Sequence, residues 1–176
     1  MNRKPFPDTV YDATIASLWG AVEANDAHAL IALFAPDIVV QSPITQLVRF
    51  EGAEQVSDLF VRIFAFLNDI RMYEVVGQSA ATQVIFWRGK VGQTYLEEAN
   101  LIKMNDRGQI SEMTVFMRAI PGLLVLLSKI APSLASRHGW FRALFIKVQL
   151  VVLSMVFRAA EPMVIRLSKA GVTVKQ

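Results

Sequence analysis

Four strand-like segments follow one another in the middle of the chain, at residues 70–76, 82–90, 93–104 and 109–118. The short turns between them leave no room for the crossover that parallel neighbours need, so consecutive strands must pair antiparallel. The last turn, Asn105-Asp106-Arg107-Gly108, gives the clearest hairpin signal, because Asn and Asp favour turns and glycine can adopt the positive φ that closes one. This region therefore predicts an antiparallel meander.

Helical patterns precede the meander. Apolar residues recur at helical spacing over 8–24, 27–34 and 51–67, and the last of these segments is the most amphipathic. Two short strands are predicted between the second and third helices, at 37–41 and 46–50. Helices first and strands afterwards indicate the α+β class.

Net charge and residue pattern both change near residue 120, which predicts two parts, 1–119 and 120–176. The first part has 10 Lys and Arg against 14 Asp and Glu, a net charge of −4. The second has 8 basic residues against the single Glu161, a net charge of +7, and reads as helices over 123–135 and 140–168. A basic, apolar extension suggests an anionic partner.

Residue types that are missing or rare narrow the chemistry. The chain has no cysteine, which excludes disulfides, thiolate metal sites and cysteine nucleophiles. His28 and His138 are the only histidines, so we expect neither a metal site nor a cofactor. The first residues lack the apolar core of a signal peptide, so a cytoplasmic location is predicted.

Three stretches resemble the nuclear transport factor 2-like superfamily, and within it the SnoaL-like polyketide cyclase and ketosteroid isomerase group. They are ALFAPDIVVQSP at 32–43, FEGAEQVSDLF at 50–60 and LIKMNDRGQISEMTVF at 101–116. The resemblance covers about residues 8–119. It implies a curved antiparallel sheet, a cystatin-like cone wrapped by the N-terminal helices around an apolar pocket. The superfamily contains isomerases, cyclases, hydrolases and noncatalytic binders, so fold alone does not decide function.

Carried over by position, the resemblance removes the usual ketosteroid isomerase mechanism. Ser42 occupies the position of the general-base carboxylate, and a hydroxyl does not accept a proton near neutral pH. Leu18 falls near the position of the oxyanion-binding tyrosine and can donate nothing. Asn100 falls at the second oxyanion donor, where its amide can donate a hydrogen bond. Ser42 and Asn100 are therefore expected to orient or polarise an oxygen.

Strand alternation adds one acidic candidate. If Asn100 points into the pocket, Glu98 does so too, whereas Glu97 faces the opposite side. A carboxyl group among apolar side chains would have a raised pKa, which suits acid or base catalysis. The alternative is a strand residue that is solvated or paired with a cation such as Arg88.

Aromatic and apolar residues near these positions are candidates for substrate contact, although side chains of this kind on helices and strands are ordinarily core. The predicted substrate-binding residues are Trp19, Phe60, Phe64, Phe86, Trp87, Tyr95, Val115 and Met117.

Two functions stay open from the sequence. One is a small-molecule pocket protein, with cofactor-independent isomerase, cyclase or hydratase chemistry on a polyketide-, steroid- or terpenoid-like substrate. The other is a noncatalytic module for ligand binding, dimerisation or membrane-surface contact. The C-terminal helices would pack on the cone, form a homodimer or lie on an anionic membrane surface. They are too interrupted by polar residues to span a membrane, and too apolar for a nucleic-acid partner.

Overall fold

The computed structural model describes residues 10–135, except positions 45 and 47, together with residues 152–153, 155–156 and 159–160. The chain divides into two compact units, Met1–Arg118 and Ala119–Gln176.

The first unit contains a curved six-stranded sheet that does not close on itself. The strands are β1 Phe34–Gln41, β2 Arg49–Glu51, β3 Leu67–Ser79, β4 Thr82–Val91, β5 Thr94–Met104 and β6 Ile110–Arg118. The strand order across the sheet is β2-β1-β6-β5-β4-β3. Strands β3 to β6 form the predicted antiparallel meander, and β1 also pairs antiparallel with β2. The pair of β1 and β6 is parallel, so the sheet is mixed.

Three helices accompany the sheet, namely α1 Val10–Glu23, α2 Ala27–Ile31 and α3 Ala53–Phe64. The Asp26 side chain caps α2 by accepting a hydrogen bond from the Ala29 amide at 3.0 Å. The buried residues of α1 and α3 are all apolar, as their spacing predicts. The α+β class is thus confirmed.

The second predicted helix is shorter than expected, because residues 32 and 33 form a turn and Phe34 already belongs to β1. That strand begins at Phe34 and includes Pro36, which was expected to follow the end of a helix. Pro36 has no N–H group to donate. It lies in the interval between Phe34 and Val39, where the pairing with β6 shifts register, so its missing donor costs no ladder bond.

The hairpin turn between β5 and β6 has the predicted form and also anchors α1. Gly108 has φ +75°, and its amide donates to the Asn105 carbonyl at 2.8 Å. The Thr14 hydroxyl donates to the Gly108 carbonyl at 2.7 Å. A Cβ at position 108 would lie 2.7 Å from a Val10 methyl group, so glycine is required by both conformation and space.

The second unit is described mainly by one helix, α4 Ile120–Ala135. It begins three residues before the predicted start, since Pro121 is tolerated in a first helical turn. The helix predicted over 140–168 lies outside the described residues, apart from the six described positions between 152 and 160. No helix within the described part of the chain is long and apolar enough to cross a membrane.

Candidate functional site

Strand β5 divides its side chains cleanly between the two faces of the sheet. Every even-numbered residue from Leu96 to Met104 is buried, and every odd-numbered residue of the strand is half-buried or exposed. Because successive strand side chains point to opposite faces, Glu98 and Asn100 share the buried face. We call this the inner face and the face that carries Glu97 the outer face.

Glu98 and Asn100 are the two polar residues found in the core of the described chain, with exposed fractions of 7% and 4%. The Asn100 amide nitrogen donates to Glu98 Oε2 at 3.2 Å. Trp87, which is directly opposite Glu98 on β4, also hydrogen-bonds to the Glu98 carboxyl. On the other side, Met117 of β6 is opposite Glu98. The buried Glu98 carboxyl is therefore hydrogen-bonded to Asn100 and Trp87, while the residues around it are mostly apolar.

Burial dominates the acidity of Glu98. It raises the pKa of this carboxyl from 4.5 to about 8, while the hydrogen bonds from Asn100 and Trp87 act in the lowering direction. The charged form loses more hydration than two neutral donors can replace. The alternative predicted from sequence, a solvated or ion-paired glutamate, does not describe this side chain. At neutral pH Glu98 is mostly protonated and can serve as an acid.

One atom of the pair lacks a hydrogen-bond partner. Asn100 Oδ1 is buried and has none among the described residues. An unsatisfied buried carbonyl oxygen costs about 1 to 3 kcal/mol. Such an atom beside a protonatable group is a suitable place for a polar group of a ligand.

Ser42 follows the end of β1 and does not contact the pair directly. Its Oγ accepts a hydrogen bond from the Ile44 amide at 3.2 Å. Gln41 is level with Thr114 on β6, which places the next residue, Ser42, level with the partner of Asn100. Two strand spacings separate Ser42 from Asn100, which is about 10 Å.

The predicted substrate-binding residues fall into four groups, and the fourth, Phe86 and Tyr95, lies on the outer face. Phe60 and Phe64 are buried on α3, and the Phe60 ring contacts Phe34 edge-to-face with centroids 5.3 Å apart. Three residues lie beside the Glu98 and Asn100 pair on neighbouring strands, and they are Trp87, Val115 and Met117. Trp19 is half-buried on α1.

Phe86 and Tyr95 belong to the outer face, so the structure does not bring them to the pair. Tyr95 is 67% exposed, and the Lys90 ammonium lies 4.9 Å from the centre of its ring. Phe86 is opposite Ala99 on β5, one residue out of phase with Trp87. Leu18, at the position where the resemblance places a tyrosine, is fully buried.

A groove of about 210 Å³ that was not predicted lies along β5 and β6, and its lining includes Glu98 and Met117 together with residues of the outer face. Its walls include the rings of Tyr73, Phe86 and Phe116. The Tyr73 hydroxyl donates to Glu97 Oε1 at 2.7 Å, and Arg118 Nε lies 2.9 Å from Glu97 Oε2. Burial and this bond to Glu97 raise the pKa of Tyr73. Ala99, with its small side chain, also lines the groove.

No cluster of three or more metal-ligating side chains occurs within the described residues.

Comparison with known proteins identifies the architecture. No protein-family model and no curated protein sequence matches the chain. Among solved structures, a steroid delta-isomerase from Pseudomonas aeruginosa is 25% identical, with a TM-score of 0.66 over 74% of this chain and 95% of that one. A protein with a cystatin-like fold from Silicibacter pomeroyi is 20% identical, with a TM-score of 0.64 over 74% and 91%.

A third similar structure is an epoxide hydrolase/cyclase-like enzyme of pyran ring formation in polyether salinomycin. It is 13% identical, with a TM-score of 0.52 over 64% of this chain and 92% of that one.

The sheet, its helices and these likenesses define an α+β cone of cystatin-like type. Within that class, the chain has the fold of the nuclear transport factor 2-like superfamily, as the resemblance in the sequence predicts.

Proposed function

We propose that this chain binds an apolar small molecule bearing a carbonyl or hydroxyl oxygen, and acts on it by proton transfer without a cofactor. The Glu98 and Asn100 pair supports the proposal most strongly, because a buried, protonatable carboxyl beside an unsatisfied amide oxygen has no evident structural use. Isomerisation, cyclisation or hydration would fit. We propose a steroid-, polyketide- or terpenoid-like substrate, and the names of two similar structures, a steroid delta-isomerase and an epoxide hydrolase/cyclase-like enzyme of polyether formation, support a steroid- or polyether-like one.

In this proposal Glu98 moves the proton. With a pKa of about 8, the carboxyl starts mostly protonated at neutral pH and gives its proton to the ligand. The resulting carboxylate then takes a proton from a second atom of the ligand, or from an attacking water, which restores the acid. Asn100 orients the ligand oxygen, and Ser42, about 10 Å away, contacts a distant part of an extended ligand.

The test is turnover of a β,γ-unsaturated steroid ketone, followed by the ultraviolet absorbance of its conjugated product. We expect Glu98→Gln to lower kcat by about 10²-fold or more, since positioned acid–base groups contribute that much. Glu97→Gln is the matched control, because it removes the adjacent carboxylate from the outer face. Equal rates in both variants would exclude Glu98 as the proton carrier. Binding without turnover in the parent chain would leave a noncatalytic binder.

A second candidate function is assembly through the outer face, and the exposed Phe116 favours it. Its ring is 57% exposed beside the groove, an unusual place for a large aromatic side chain. We propose a homodimer in which this face packs on its copy. Sedimentation should show a dimer that Phe116→Asp weakens and that Ile44→Asp, at an equally exposed loop position, leaves intact. A monomeric parent chain would refute this candidate.

Contact of the C-terminal helices with a membrane surface, and the cytoplasmic location, stay predictions. Most of the residues that would carry the membrane contact lie outside the described part of the chain.

A further inference from the structure

The nitrogen and the oxygen of the Asn100 side-chain amide differ in their hydrogen bonding. Its nitrogen donates to Glu98 Oε2 at 3.2 Å, and its oxygen has no hydrogen-bond partner among the described residues. An amide group is nearly symmetric in shape, so rotation by half a turn exchanges the donor and the acceptor with little change in packing.

The proton on Glu98 decides which rotation is favourable. An ionised carboxylate only accepts hydrogen bonds, so it holds the NH₂ group of Asn100 and leaves Oδ1 as the unpartnered end of the amide. A protonated carboxyl can donate its O–H to Oδ1. The NH₂ group then becomes the unpartnered end and is a free donor. The unpartnered position of the amide is thus an acceptor in one state and a donor in the other.

We propose that the side-chain amide of Asn100 rotates by half a turn when Glu98 gains or loses its proton, an inference that rests on the proposed function. The site then receives either a carbonyl oxygen or a hydroxyl group when Glu98 carries its proton, and only a hydroxyl group when it does not. A carbonyl oxygen only accepts, so it pairs with the NH₂ group and is repelled by Oδ1. A hydroxyl group can donate to Oδ1 or accept from NH₂, so it is compatible with both states.

The neighbours of Glu98 leave this coupling undisturbed. Trp87 can only donate, and it can bond a carboxyl oxygen in either state. Met117, opposite on β6, has no proton to exchange. The charged residues of the adjoining strand segments, Arg88, Glu97 and Arg118, belong to the outer face by strand alternation. The buried residues of α1 and α3 are apolar.

Nuclear magnetic resonance on the full chain without ligand tests the reversal itself. The Glu98 carboxyl carbon and the Asn100 side-chain nitrogen should titrate with one shared midpoint. Nuclear Overhauser contacts from the Asn100 NH₂ protons to the Glu98 methylene protons should be strong above the midpoint and weak below it. An Asn100 amide that keeps these contacts throughout the titration would overturn the proposal, whatever the function of the chain.

A matched pair of ligands tests the consequence. The probes are 2-decalone and 2-decalol, a rigid apolar ketone and its alcohol, with Kd measured two pH units below and above the Glu98 midpoint. The affinity of ketone relative to alcohol should fall by at least tenfold at the higher pH, because about 1.4 kcal/mol corresponds to tenfold and an unmade buried hydrogen bond costs that much. In Glu98→Gln the ratio should not change with pH.

The outcomes separate this inference from the proposed function. If the amide reverses and neither compound binds, the pocket function fails and the coupling of the two residues stands. If both compounds bind and their affinity ratio is independent of pH, the ligand-selection part is overturned and the pocket function stands.

Discussion

Replacing Glu98 with glutamine should make the protein more stable at alkaline pH. The folded chain holds the Glu98 proton with a pKa of about 8, against an ordinary value of 4.5 for the unfolded chain. At about 1.36 kcal/mol for each pKa unit, this interval corresponds to about 5 kcal/mol, an upper value because relaxation around the charge would reduce it. Glutamine keeps the shape of the side chain and never ionises.

The sign of the effect follows from which state binds the proton. Below pH 4.5 both states are protonated, and the contribution of Glu98 to stability is complete. Between pH 4.5 and about 8 the unfolded chain releases the proton while the folded chain keeps it, so the free energy of unfolding falls. Above pH 8 both states are ionised, and the loss is complete. The wild type should therefore lose stability relative to Glu98→Gln across this window.

Urea unfolding followed by circular dichroism at several pH values gives the assay. The difference between wild type and Glu98→Gln cancels the titration of every other group, which the two proteins share. Glu97→Gln is the control, and its difference from wild type should lack the Glu98 slope because Glu98 remains in place. A difference between wild type and Glu98→Gln that is independent of pH would refute the claim that Glu98 is desolvated in the folded chain.

Four further predictions concern single residues of the fold and of the site. Gly108→Ala should cost about 1 to 3 kcal/mol in urea unfolding, since the φ of +75° is strained for alanine and the new Cβ would meet Val10. Gly20→Ala, in the open interior of α1, should instead stabilise by about 0.5 to 1 kcal/mol, and a loss there would contradict this reading of the two glycines. Leu18→Ala should cost about 2 to 5 kcal/mol by the same assay, because Leu18 is fully buried, and a cost below 1 would show that it is not. Trp87→Phe should raise the Glu98 pKa, measured from its carboxyl carbon resonance, because it removes a donor to the charged form; an unchanged pKa would exclude that hydrogen bond.

The architecture was within reach of sequence reasoning because its signals are local. Turn residues, helical spacing and strand alternation predicted the meander, the main helices and the shared face of Glu98 and Asn100. The parallel pairing of β1 with β6 was not predicted, since those strands are about 70 residues apart and no turn connects them directly.

The register between β4 and β5 shows why the details of the site needed the structure. The predicted turn around residues 90–92 would bring residues 90 and 93 together, which pairs Trp87 with Leu96. The actual turn follows Val91, which pairs with Thr94, and Gly92 has φ +61°. That shift along the chain places Trp87 opposite Glu98 and supplies its second donor. Short-range rules fix which face a side chain takes, but the exact turn fixes its partner.

A crystal structure of the full chain with a bound apolar ketone would test the central claim most directly, that the inner face around Glu98 and Asn100 receives an oxygen-bearing ligand. We expect the ketone oxygen within hydrogen-bonding distance of the Asn100 side-chain amide, at a pH where Glu98 is protonated. A ketone bound only in the outer groove beside Phe116, with the inner pair closed to it, would contradict the claim.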